Sequence, residues 1–308
     1  MSDRGPAPVA DRLQCASFEE TKEKDMKPEE NTLTPGSCAN CGNVFTGNYC
    51  SNCGQERFGH GDKSFLHLLE EVFHFITHFE GSFWLTLKTV LTSPGKMSAD
   101  FCGGMRKKYF RPISFFLFIV VFYLVFPIFR GLDMKMDYYK ALPVFGPIVT
   151  RQLESREAST GLSDAQFAVK FEDVAEKASK GCLLLLIVFS APMLSLTFAK
   201  KRMPLYDHTI LAIEINSFFL ILFSLILPLF VIVVHAIYPA SAALMTESDL
   251  VYALLLSFLA YTIVAFRRFY GVAWGWSALA SVAFVLVHMI FVFYIYKFIL
   301  FEVTMVFA

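Results

Sequence analysis

Five apolar runs follow one another between residues 113 and 300, and this series limits the fold more than any other feature of the chain. The first, 113–129 (ISFFLFIVVFYLVFPIF), falls short of the roughly 20 residues that cross a bilayer, so Tyr109 and Phe110 are expected to extend it. The others cover 181–199, about 209–238, about 249–266 and about 276–300. The third is long enough to tilt, and Pro228 predicts a kink in it. A buried helix of a soluble core can imitate one such run, but five in series cannot be hidden that way. The 55% hydrophobic content and 34 phenylalanines agree with this. The expected fold class is an all-α integral membrane protein with about five transmembrane helices.

Basic residues orient these spans. Arg106-Lys107-Lys108 and Arg111 precede the first, Lys200-Lys201-Arg202 separates the second from the third, and Arg267-Arg268 separates the fourth from the fifth. With five spans all three clusters fall on one side, which is the positive-inside pattern. The N-terminus is then cytosolic, and the loop 130–180 and the C-terminus are extracytoplasmic. Within that loop Phe167, Phe171, Val174 and Ala178 share one helical stripe behind Ser163 as an N-cap, which predicts a small cap helix.

Ahead of the spans stand two cysteine pairs, Cys38-x-x-Cys41 and Cys50-x-x-Cys53. Four thiolates at this spacing complete a tetrahedral shell, so they are expected to bind Zn2+ as a structural clip. Gly42 and Gly54 follow the pairs and suit a turn with positive φ that leaves the glycine N–H free to face sulfur. The short gap between pairs predicts two knuckles and a tight hairpin. A disulfide or redox CxxC and an iron–sulfur cluster are the alternatives. Reduced thiols imply the cytosolic face, in agreement with the basic clusters. Cys15, Cys102 and Cys182 read as unpaired. Residues 1–37 are polar and lack the apolar core of a signal peptide, so a disordered tail is expected.

Residues 64–92 alternate aromatic and aliphatic side chains with His67, Glu70, Glu71, His74 and His78. On a helix His67, Glu71, His74 and His78 form one stripe, which predicts an amphipathic helix lying in the membrane interface. Ser93-Pro94-Gly95-Lys96 then makes a turn. Residues 96–111 carry five basic residues against one acid, a patch for anionic lipid headgroups through Arg106, Lys107, Lys108 and Arg111. The expected organisation is a tail (1–37), a ribbon (38–56), an interfacial and basic juxtamembrane segment (64–112) and a membrane domain (113–300).

The order CxxCG, then Tyr49-Cys50-x-x-Cys53-Gly54-Gln55, a His-bearing aromatic helix, Thr86, Pro94-Gly95-Lys96, and Gly104-x-Arg106-Lys107-x-Tyr109-x-x-Pro112 resembles an uncharacterised bacterial family. That family comprises zinc-ribbon membrane proteins of unknown function, frequent in Bacteroidetes. The likeness continues at Tyr206-Asp207-His208 and at Arg267-Arg268-x-Tyr270-Gly271, so it covers about 38–300. Here Asp207 replaces the family's usual Glu, and Glu214 and Asn216 stand where histidines are usual. The resemblance implies a multi-pass protein of the bacterial cytoplasmic membrane and assigns no activity.

Glu71, His74 and His78 can place three ligands on one helical face, and Asp207, His208 or Glu214 can join them from the third span to form a second metal or proton site. A solvated or headgroup-facing stripe is the preferred reading of the same histidines. His235 and His288 read as histidines hydrogen-bonded to neighbouring helices. No GxSxG, Walker A, dinucleotide or HExxH pattern occurs. Residues 1–63 hold seven Lys or Arg against ten acids, the wrong sign for nucleic acid. Two classes remain. One is a non-enzymatic scaffold or adaptor whose cytosolic ribbon docks a protein partner. The other is a transporter or membrane enzyme working through the second polar site. The first is preferred, and self-association stays open.

Overall fold

The computed structural model describes residues 35–55, 81–125, 136–140, 145–160, 164–238 and 247–307. Two short strands, β1 (Gly36–Ser37) and β2 (Val44–Phe45), pair antiparallel with Gly36 opposite Phe45 and Ser37 opposite Val44. The hairpin therefore closes around the first cysteine pair rather than between the pairs. Helices follow: α1 (Gly81–Thr92), α2 (Lys96–Cys102), α3 (Pro112–Val125), α4 (Met136–Lys140), α5 (Gly146–Thr160), α6 (Asp164–Cys182) and α7 (Leu185–Thr197). Then come α8 (Leu205–Ile237), α9 (Glu247–Tyr270) and α10 (Trp274–Phe307).

Among the described residues three helices are long and apolar enough to cross a membrane: Leu205–Ile237, Asp249–Tyr270 and Trp274–Phe307. The first two apolar runs form shorter helices, Pro112–Tyr123 and Leu185–Thr197, so the expected five spans become three long helices and two short ones. The expected kink at Pro228 takes another form. A π turn at Leu222–Ile226 precedes it, and the helix resumes at Leu227. Proline has no N–H to give the preceding turn, and widening that turn absorbs the lost hydrogen bond. A second π turn, Phe291–Tyr296, interrupts α10.

The chain forms two compact units. One takes its described residues from Met1–Phe118, Ala191–Phe219 and Leu255–Val282. There α1 buries Phe83, Thr86, Thr89 and Val90 on a helical stripe. The Phe83 ring meets Phe110, Phe115 and Phe118 at centroid distances of 5.7, 5.6 and 4.8 Å. Thr86 accepts the Phe110 N–H at 2.8 Å, so a buried hydroxyl satisfies a donor in the approach to α3. Phe218 of α8 stacks on Tyr261 of α9 at 3.7 Å, and Phe198 stacks on Tyr270 at 3.7 Å. Of the interfacial segment 64–92 only α1 belongs to the described residues. His67, Glu71, His74 and His78 lie outside them.

The other unit comprises Ile119–Ser190, Leu220–Leu254 and Ala283–Ala308. Its core gathers Met136, Tyr139, Val149, Leu153, Phe167, Phe171, Ala175, Phe301 and Met305. The stretch expected to form a helix does so as α6, and its buried stripe runs through Phe167, Phe171, Ala175 and Ser179. Val174 and Ala178, expected on that stripe, sit one position off it and are only half-buried. Steps of four from Phe171 keep the stripe under the helix, whereas a step of three rotates it toward solvent. Ser163, the expected N-cap, lies outside the described residues.

Candidate metal centre and its mounting

The four sulfurs of Cys38, Cys41, Cys50 and Cys53 all lie within 4.8 Å of one another. Cys38 Sγ is 3.6 Å from Cys53 Sγ, and Cys41 Sγ is 3.6 Å from Cys50 Sγ. A zinc ion with Zn–S bonds of about 2.3 Å sets tetrahedral edges of about 3.8 Å, whereas a disulfide needs about 2.05 Å. The cluster therefore fits a tetrathiolate ion site, and all four cysteines are free thiols. Among the described residues this is the one group of three or more His, Cys, Asp or Glu side chains set to hold a metal.

Each knuckle is a turn closed by its glycine. Gly42 N–H donates to the Cys38 carbonyl at 2.8 Å and Gly54 N–H to the Cys50 carbonyl at 2.7 Å. Their φ values of 75° and 65° are the left-handed values anticipated from sequence. The glycine N–H groups face carbonyl oxygens, however, and not sulfur as expected. The donors to sulfur come from within and just beyond the knuckle. The Cys53 N–H, helped by that of Asn52, lowers the Cys50 thiol to about 6. The Gln55 N–H lowers Cys53 in the same way. At Cys38 the Cys41 N–H acts in that direction too, yet burial and the neighbouring sulfurs leave this thiol raised to about 11. Donors aimed at sulfur stabilise thiolate, the form a metal binds.

The knuckles are mounted on the loop between α2 and α3. Gln55 is buried, and its side-chain amide is used at both ends: Nε2 donates to the Gly104 carbonyl, and Oε1 accepts the Lys107 N–H at 3.3 Å. A Cβ at Gly104 (φ 100°) would lie 2.9 Å from the Ala39 Cβ, and one at Gly54 would lie 2.9 Å from Lys107 Nζ. At Gly104 the rigid Ala39 methyl leaves no room for a side chain, whereas at Gly54 the flexible Lys107 could move aside and it is the φ of 65° that favours glycine. Of the residues expected to meet headgroups, Lys107 and Arg111 are exposed. The half-buried pair face protein groups: Arg106 Nη2 donates to Tyr206 Oη at 3.2 Å, and Lys108 Nζ lies 2.9 Å from Asp100 Oδ2.

A second polar centre sits where the Ser93-Pro94-Gly95-Lys96 turn meets α8 and α9. The buried Glu214 carboxylate accepts Gly95 N–H at 2.7 Å and Tyr261 O–H at 3.2 Å on Oε1. Its Oε2 accepts Ser98 N–H at 2.8 Å together with the Ser98 hydroxyl. Glu214 therefore caps the start of α2, where Gly95 (φ 73°) offers no side chain of its own. A Cβ on Gly95 would lie 2.7 Å from the Ala265 carbonyl oxygen. Arg268 Nη1 donates to the Pro94 carbonyl at 2.6 Å and fastens the same turn to α9. Next along α2, buried Asp100 accepts Tyr109 O–H at 2.7 Å on the oxygen that pairs with Lys108.

Of the residues considered for a second metal or proton site, Glu71, His74 and His78 lie outside the described residues. Asp207 and His208 are buried in the first turn of α8, and His208 Nδ1 is 2.8 Å from Tyr270 Oη. Glu214 and His208 thus engage tyrosines nine residues apart on α9. Sequence reasoning missed Ser98, Asp100, Tyr261 and the side chain of Gln55. An acid inside an apolar run (Glu214) and a lone acid inside a basic stretch (Asp100) were the signals available.

Residues 80–124 match the sequence model of a family described as a protein of unknown function, DUF3667. The match starts next to α1 and ends within α3. It therefore contains the Ser93–Lys96 turn, Ser98, Asp100 and the loop 103–111, and it leaves the four cysteines outside. No curated protein and no solved structure matches the chain.

Proposed function

We propose that this chain is a multi-pass scaffold of the bacterial cytoplasmic membrane whose zinc-clipped cytosolic head docks a protein partner. The observation that carries this reading is the mounting of the head. A docking element fixed by Gln55 to the loop that enters the first apolar helix is preorganised, so binding does not have to order it. Its outer surface offers Val44 and Tyr49, which are 67% and 61% exposed. Zinc suits the four thiolates, and a shell closed by four protein ligands leaves no position for a substrate, so the metal is structural. Cys38, Cys41, Cys50 and Cys53 would hold it. The three basic clusters, which fall on one side under the positive-inside pattern, support a cytosolic head and an extracytoplasmic C-terminus. Of the four basic residues expected to meet anionic headgroups, exposed Lys107 and Arg111 are the two that would do so, while Arg106 and Lys108 face Tyr206 and Asp100. The bacterial origin rests on the resemblance of the motif order.

Metal analysis of the purified protein is expected to give about one zinc per chain, lost on Cys38→Ser or Cys50→Ser. A photo-crosslinker at Tyr49 in cells is expected to trap one defined protein, and Cys50→Ser is expected to abolish the adduct. An adduct that survives metal loss, or none at all, overturns the docking role. A C-terminal reporter active only in the cytosol overturns the orientation.

A further inference from the structure

We propose that the head also acts inward, as a brace that makes the order of the basic juxtamembrane loop depend on bound metal, with Gln55 as the positioning residue between them. This rests on reading the four cysteines as a metal site. Gln55 is tied on four sides. Its N–H points at Cys53 Sγ, and its carbonyl accepts the Cys50 N–H at 2.8 Å, so its backbone position is set by the second knuckle. Both ends of its side-chain amide are spent on Gly104 and Lys107, so Gln55 ties the loop to the second knuckle, in addition to the loop's own anchors from Arg106 to Tyr206 and from Lys108 and Tyr109 to Asp100. The first knuckle touches the same loop through Ala39 at Gly104.

The head cannot hold this arrangement through its own core. That core consists of Cys38, Phe45 and Cys50, with Cys53 packed against it, so three of its four members are metal ligands. Strands of two residues each add little. A module this small takes its folding free energy from the metal. Removing the ion releases the knuckles, then Gln55, then the loop. Lys107 joins the brace from the other side. Its ammonium lies against the backbone at Gly54, beside a cluster that carries two net negative charges when zinc is bound to four thiolates. It serves the head as a counter-charge, and the loop's reach toward anionic headgroups changes when the head lets go.

The loop provides its own readout, because Arg106, Lys107 and Lys108 are consecutive trypsin sites. Full-length protein in lipid nanodiscs is digested briefly, with cleavage at 106–108 compared with cleavage at exposed Lys177 as an internal control. Chelation of the wild type is expected to speed cleavage at 106–108 on the order of tenfold, reversed by added zinc, with Lys177 unchanged. Gln55→Ala is expected to show similar acceleration while keeping the metal of the wild type, an outcome a merely structural ligand-side role would not give. Gln55→Glu keeps the acceptor for the Lys107 N–H and loses the donor to Gly104, so it should fall between the two. It decides the matter if Gln55→Ala fails to fold. A wild type that holds no metal overturns the metal reading and the brace together. A wild type that holds metal but whose loop ignores its removal, or a metal-loaded Gln55 variant cut at the wild-type rate, overturns the brace alone.

Discussion

Two regions of this molecule are held together by different physics. Around the Ser93–Lys96 turn, order comes from single polar groups reaching far along the sequence: Ser98 to Glu214, Pro94 to Arg268, Gln55 to Gly104. Around α4–α6 and the end of α10, order comes from rings. Tyr139 lies 5.8 Å from Phe171 and 5.3 Å from Phe301, and Phe145 stacks on Phe298 at 4.5 Å. A buried hydrogen bond demands one donor and one acceptor in one place, whereas apolar packing accepts any side chain of similar volume. The polar region should therefore tolerate conservative change poorly, and the aromatic region well. The family match at 80–124 falls largely on the polar region.

The largest effect is expected at the cysteines. Cys50→Ser should take bound metal from about one equivalent to none and unfold the head, read by metal analysis and by hydrogen exchange across 36–55. Next comes Glu214→Gln. Each carboxylate oxygen accepts a backbone N–H, so either amide orientation sets an NH2 group against a donor. A loss of about 3 kcal/mol is expected, seen as a lowered unfolding temperature in detergent. Asp100→Asn leaves Lys108 and Tyr109 sharing a weaker acceptor in the same buried place. It should cost about 2 kcal/mol. Smallest is Phe171→Leu in the aromatic core, expected at about 1 kcal/mol despite complete burial. If Phe171→Leu proves more damaging than Glu214→Gln, the contrast between the regions is wrong.

What sequence made legible follows the same division. Ligand spacing is local, so Cys38, Cys41, Cys50 and Cys53 could be grouped from their separations alone. Helical apolar periodicity is local too, so the helix at 164–182 could be anticipated from Phe167 and Phe171, with its register lost only where Val174 is more apolar than the buried Ala175. Glu214 was visible as an anomaly but not as a cap, because its partners at Gly95 and Ser98 are 119 and 116 residues away. Gln55 belonged to a recognisable motif, yet nothing near it in the chain states that both ends of its amide are used. The π turn at Leu222–Ile226 was foreshadowed by Pro228, whereas the turn at Phe291–Tyr296 carries no proline to announce it.

The long reach of Glu214 and Arg268 also dictates an order of assembly. The Ser93–Lys96 turn leaves the ribosome early, yet its carboxylate cap is made 116 residues after Ser98, and the arginine that holds Pro94 follows 174 residues after that proline. At roughly 5–20 residues per second, the turn waits on the order of ten seconds with its donors facing other partners. Released chains truncated before residue 205 should therefore present this turn to protease, and released chains that include α8 and α9 should hide it. A turn synthesised early is thus among the last elements to be completed.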